Sequence, residues 1–306
     1  MGKKKLRKKK EIQYYGQHGL TELQNKFFAQ YDYNFWMHKV HTLTHFIANP
    51  ESMSMLKFVG DISSNEVIMQ SLKMEIHMTA MHCTESLFRI FHSMIYNPEN
   101  PWLGLAECPS NQLHLFILFI KRSGIGSLVL NANTWLQGNL YPTIDENHPM
   151  SKKSKDSSEL VISYLNRLAN EFVEHKEYNA YKHGLHCFPG SLTIQAVEEQ
   201  TGTKYIDSIN DTTEFMEYGK IESNNKQKVF ITTKAYSNIK DYNIIRVNSA
   251  IMHNLFKFKA LASAHRISEI PKTTPIQFGY HYFDDQSVSD LFLDEDTTGP
   301  VKTFSH

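Results

Sequence analysis

Along several long segments of this chain, apolar side chains recur at spacings of three and four, the period of an amphipathic helix. The pattern predicts a helix over residues 18–48, with Thr21 as a start signal and Asn49-Pro50 as a stop. A longer periodic segment over 63–96 starts at Ser63-Ser64 and breaks at Asn97-Pro98. Residues 110–122 are nearly all apolar and read as a short buried helix. The stretch "SGIGSLVLNANTWLQGN", residues 123–139, reads as loop with one short strand. Residues 146–158, "ENHPMSKKSKDSS", are polar and rich in Pro, Ser and Lys, the composition of an exposed loop or linker. Helix returns over 157–183 and stops at Gly184.

Past Gly184 the period drops to two. "SLTIQAV", "TKYIDSI", "EFMEYGKI" and "KVFITTKAY" alternate and are rich in β-branched and aromatic residues, with "SNNKQ" as a hairpin loop. A last helix is predicted over 241–266. The fold class is therefore mainly α: a helical bundle with a small antiparallel β meander near residues 190–235. Three regions follow. Residues 1–12 are a disordered basic arm, residues 13–280 a mainly helical domain with a β insert, and residues 281–306 a loosely ordered acidic tail.

Composition narrows the function classes. The 306 residues are 41% hydrophobic and 21% charged, with formal net charge zero. That balance excludes a surface that grips nucleic acid everywhere, since phosphate neutralisation needs clustered Lys and Arg. It leaves room for a local patch. Residues 3–10 are all Lys or Arg except Leu6, a run that suits contact with RNA, DNA or anionic lipid, or simply keeps the chain in solution. The three cysteines form no CxxC pair and fit a reducing compartment. The longest apolar run, Leu113 to Ile120, is far short of the roughly 20 residues of a membrane helix. A cytoplasmic protein without membrane contact is expected. Phosphate-loop, dinucleotide-binding and nucleophile-elbow motifs are absent.

Candidate chemistry comes from two helical faces. An α-helix advances about 100° per residue. In the 157–183 segment, Val161, Leu165, Leu168 and Phe172 share one sector. Continued on the same wheel, that sector meets His175, Asn179 and His183. A buried imidazole or amide without a partner costs roughly 1–3 kcal/mol, so either polar groups face these three or the helix end turns outward. In the 63–96 segment, Glu75, Met78, His82, Glu85, Arg89 and His92 share one sector, flanked by Met74 and Met81. Ile76, Ala80, Cys83, Leu87, Ile90 and Met94 lie roughly opposite. The row is either a solvated face held by Glu85–Arg89 pairing or a polar core.

Three functional readings fit these faces. A histidine is a general acid or base near neutral pH, and Arg or Asn beside it stabilises phosphate charge without a cofactor. Here "YNAYKH", Tyr178 to His183, resembles the end-of-helix motif of HEPN-like all-α proteins, in which an arginine, a polar residue, three further residues and a histidine follow one another. Asn179 and His183 match the polar residue and the histidine, while Tyr178 stands at the arginine position. The resemblance implies an RNA-interacting module or a degenerate metal-independent ribonuclease, often a homodimer. His183, Asn179 and a substitute cation from Arg89 would be its catalytic set, with Lys182 and Tyr178 contacting RNA. The second reading is a helical-bundle enzyme with an iron or manganese site built from Glu75, His82, Glu85 and His175. The third is a non-catalytic structural or interaction protein whose polar rows are core networks or solvent faces.

Overall fold

The computed structural model describes residues 17–55, 64–129, 131–141, 149–173, 176–182, 187–197, 204–218, 229–264, 281 and 283. The basic arm, the "SNNKQ" loop and the acidic stretch after 283 lie outside these residues. The described chain is mainly helical with one small antiparallel sheet, the class that the two hydrophobic periods predict.

Two helices, Gln17–Gln30 (α1) and Phe35–Ala48 (α2), occupy the first segment, where the periodicity predicts one. The break is local turn chemistry: the Asn34 amide donates to the Asp32 carboxylate at 2.9 Å, and the Phe35 amide donates to the Asp32 carbonyl. The long helix Asn65–Tyr96 (α3) follows. Ser64 caps it by accepting from the Val67 amide at 3.4 Å, and Glu66 sits in the first turn, where the helix dipole favours negative charge. It ends before Pro98, which biases the preceding residue away from helix. Between Ile76 and Met94, α3 is buried on nearly every side, polar and apolar positions alike.

Other helices surround α3. The short helix Pro101–Glu107 (α4) starts on a proline suited to a first helical position. It approaches α3 closely at Gly104, where a Cβ would come within 2.6 Å of the Asn97 amide. Ser110–Ser123 (α5) buries Leu113, Phe116, Ile117 and Ile120. Gly124 then turns the chain at φ 73°, and the following Ile125 amide is held by the Asn166 side chain at 2.8 Å.

Two sequence expectations give way here. The stretch read as loop and strand contains the helix Ala132–Leu140 (α6), entered through Asn131 in the left-handed conformation. Leu136 and Leu140, one turn apart, are fully buried, so packing overrides the loop-like composition around Gly138. The expected linker over 146–158 enters the helix Pro149–Phe172 (α7) at Pro149. Its serines are interior: Ser154, Ser157 and Ser158 are buried, and Ser158 donates back to the Ser154 carbonyl at 2.8 Å. Val161, Leu165 and Leu168 are buried as the stripe predicts, each contributing about 1.5–3 kcal/mol by burial.

The predicted 157–183 helix is broken. After Phe172 the chain restarts as Lys176–Lys182 (α8). The sheet follows as Cys187–Val197 (β1), Lys204–Tyr218 (β2) and Val229–Ala235 (β3), an antiparallel meander in that order. Two of the four predicted strands are one: β2 runs through Asp211-Thr212-Thr213, a polar run with the look of a turn. Thr212 and Thr213 are buried, and the register shift between Gly190 and Leu192 on β1 accommodates the long partner. β1 and β2 pack on α3 and α8. The last helix, Asn238–Ala264 (α9), begins where the Ser237 hydroxyl accepts from the Lys240 amide at 3.3 Å, and it packs along α3.

Buried polar groups tie the bundle together. The Tyr164 hydroxyl of α7 donates to the Asn248 carbonyl oxygen of α9 at 2.7 Å, and the Asn248 amide donates to the Thr84 hydroxyl of α3 at 3.1 Å. His281 and Phe283, the described part of the segment expected to be loosely held, are fixed to this core. The Asn254 amide donates to the His281 carbonyl at 2.8 Å, the His281 amide donates back at 3.0 Å, and the Phe283 amide donates to the Ser157 hydroxyl at 2.8 Å. Asn254→Ala removes both His281 bonds. It is expected to lower the unfolding free energy by about 1–3 kcal/mol in urea denaturation, whereas the exposed change Leu115→Ala should stay within about 0.5 kcal/mol.

Candidate functional site

The break between α7 and α8 resets the helical wheel, and this decides which residues of "EYNAYKH" point inward. Tyr178 and Glu177 are buried, and Asn179 is exposed. Of the two alternatives read from the sequence, Asn179 takes the outward one: the buried stripe ends with α7, and Tyr178 takes the interior position. His175 and His183 lie outside the described residues.

The polar row of α3 and the inner face of α8 meet. Glu85 is the centre of the contact. Its Oε1 accepts from Arg89 Nε at 3.1 Å and Nη2 at 2.7 Å. Its Oε2 accepts from the Tyr178 hydroxyl at 2.5 Å and from Lys182 Nζ at 2.8 Å. Arg89 Nη1 also donates to the Cys108 carbonyl at 2.6 Å. Burial alone would raise the Glu85 pKa. The bonds from Lys182, Tyr178 and Arg89 outweigh it and hold the carboxyl down at about 2. The Tyr178 hydroxyl is pushed well above its ordinary value by burial and by Glu85, so it stays a donor.

One end of the row is closed in the same way. Glu75 Oε1 accepts from Lys39 Nζ of α2, and its Oε2 accepts from the Tyr181 hydroxyl, each at 2.6 Å. His82 lies between the two carboxylates, edge-on to the Tyr178 ring at 5.0 Å. Burial first, then the Lys39 ammonium, hold its pKa below the ordinary value, so the ring is neutral at pH 7. Met78 and Met81 pack against Tyr178 beneath it, with Met74 and Phe172 alongside.

Beside Glu85 a pocket opens between α5, the end of α7 and α8. Its volume is about 100 Å³. Glu85, Tyr178, Asn179 and Lys182 line one part of it, Ser110 and His114 of α5 another, and Leu113, Ile117, Phe172 and Val173 form apolar wall. Arg89 reaches its edge, with Nη2 at 3.5 Å from the Ser110 hydroxyl. Two cations thus surround one carboxylate, and the polar rim adds an imidazole, a hydroxyl and an amide.

Of the expected metal set, Glu75, His82 and Glu85 are among the described residues and His175 is not. Among the described residues no group of three or more His, Cys, Asp or Glu is placed to hold a metal ion. Glu75 and Glu85 stand ten residues apart on one helix, roughly 15 Å, and each is bound by its own lysine.

A second buried cluster had no signal in the sequence. His77, in neither of the two α3 sectors read from the sequence, has Nδ1 at 2.9 Å from Asp241 of α9 and Nε2 at 3.9 Å from Glu177 of α8. Lys234 of β3 donates to Glu177 at 2.7 Å, and the Tyr236 ring stacks on His77 at 4.8 Å. The partners are far apart in sequence, so no local spacing announces them. The same cluster fixes the other side of α8, because Glu177 precedes Tyr178.

The chain matches no family model, and no curated protein or solved structure is found similar to it. Fold and site together define a mainly helical protein with a flanking meander and a pocket lined by Glu85 and Lys182. Among its described residues no helix is long and apolar enough to cross a membrane.

The buried cluster gives stability a pH signature. Burial would lower the His77 pKa, but the carboxylates of Asp241 and Glu177 raise it to about 9. The folded chain therefore holds this proton more tightly than the unfolded chain. The contribution is whole below pH ~6.5, the unperturbed value, and is lost as pH rises through about 9. Chemical denaturation from pH 6 to 10 should show wild-type stability falling across that window, and His77→Gln should flatten this part of the profile.

Proposed function

We propose that the chain is an RNA-interacting protein that seats a phosphate group in the pocket between α5 and α8. The observation that carries this reading is the convergence of Arg89 and Lys182 on the single Glu85 carboxylate at the pocket wall. Two cations against one anion leave the site net positive inside a chain whose formal charge is zero. Oxyanions favour such a site, where guanidinium, ammonium and hydroxyl donors meet beside an apolar wall. The choice of RNA among polyanions rests on the resemblance of Tyr178–His183 to the HEPN-like motif.

The reading is binding, not cleavage. Tyr178 stands at the motif's arginine position, and its hydroxyl is committed to Glu85. Arg89 is committed to Glu85 and to the Cys108 carbonyl, so it is a fixed charge behind the Glu85 part of the wall. Asn179, exposed at the pocket, is available to contact a backbone phosphate or a 2′-hydroxyl.

Single-stranded RNA titrated in EDTA tests this. Wild-type protein should bind with affinity that falls as salt rises. Lys182→Ala should weaken binding by about three- to tenfold and reduce the salt slope by about one. RNA length should be unchanged in wild type and in His183→Ala. Affinity indifferent to Lys182 would take the pocket out of RNA binding, and cleavage abolished by His183→Ala would restore the catalytic reading.

A further inference from the structure

We propose that Glu85 is a built-in competitor for the anion that the pocket takes: its carboxylate fills the place between Arg89 and Lys182 that a ligand's anionic group would occupy, and so sets the affinity of the site. The inference rests on the reading of the pocket as an anion site and concerns its tuning.

Glu85 is only 8% exposed, yet it forms part of the pocket wall. A fork of two Arg89 nitrogens on one oxygen, with a tyrosine hydroxyl and a lysine ammonium on the other, is a donor set that would receive a carboxylate or phosphate from outside. Here the chain supplies the acceptor itself, from one turn before Arg89 on the same helix.

The two cations differ in freedom. Arg89 is tied down by the Cys108 carbonyl at 2.6 Å as well as by Glu85. Lys182 ends a flexible stem in the last turn of α8, is partly exposed and lines the pocket. It can leave Glu85 Oε2 for an entering oxyanion while the Tyr178 hydroxyl keeps that oxygen satisfied. Binding is then an exchange in which Lys182 swaps the internal carboxylate for the ligand. The ligand arrives beside the negative charge of Glu85, which opposes it. Multiply charged oxyanions such as phosphate monoesters or pyrophosphate compete for Lys182 better than singly charged ions do.

The test compares pyrophosphate and single-stranded RNA binding to wild type, Glu85→Gln and Lys182→Ala by calorimetry, with melting curves run alongside. Glutamine keeps the shape and an acceptor oxygen but removes the charge. Glu85→Gln should bind pyrophosphate on the order of tenfold more tightly than wild type, and Lys182→Ala should lose most of the binding. Pyrophosphate should also raise the melting temperature of Glu85→Gln by more than that of wild type. If wild type binds but Glu85→Gln binds equally or less tightly, the competitor role is wrong and the anion pocket stands. If neither probe binds either protein, the pocket reading itself is overturned. Should Glu85→Gln fail to fold, Glu85→Asp draws the charge back from Lys182 and should still bind pyrophosphate more tightly than wild type; equal or weaker binding overturns the proposal.

Discussion

A helix enclosed on nearly every side must have its polar groups answered from within the protein, and α3 carries several. Glu85, His77, Thr79, Thr84 and Ser93 are all buried along it. An ionised carboxylate in such a place is stable only with charged and hydrogen-bonding partners around it. The short helix α8 supplies two of the four donors to Glu85 and the tyrosine that closes on Glu75. The position of α8, and with it the wall of the pocket, follows from that requirement.

α8 is held from two directions. Its Tyr178–Lys182 side meets the carboxylate row of α3, and Glu177 meets His77 and Lys234 on the other. Only seven residues long, it has little intrinsic helical stability of its own. Its order comes from these contacts and from the methionine and aromatic packing beneath Tyr178. A short element fixed by charge on both flanks forms a rigid edge of the pocket, where the partly exposed Lys182 reaches back to Glu85.

Much of this was legible in the sequence, for identifiable reasons. Period-3.6 segments located α3, α5 and α9, and period-2 segments located the meander. The buried stripe of α7 was readable from Val161, Leu165 and Leu168. The sharing of one helical sector by Glu75, His82 and Glu85 located the polar row. What escaped reading has physical causes. Serines that bond back to their own helix made α7 look like a linker at its start. Asp211-Thr212-Thr213 looked like a turn because strand residues buried against helices need not alternate. The break after Phe172 changed the phase of α8, so the wheel carried on from α7 passed over Tyr178 and left the direction of Asn179 open. His77 was invisible as a site because its partner Asp241 lies 164 positions away.

The chain Tyr164–Asn248–Thr84 joins three helices through one amide. Asn248 both accepts and donates there, so its two neighbours are not interchangeable: one must offer a proton and the other must receive one. Replacing any single member strands a polar atom in the core, while apolar replacement of all three leaves none. These positions therefore form a mutational unit that drifts together or not at all, and they key α3, α7 and α9 to one relative register that sliding by a helical turn would forfeit.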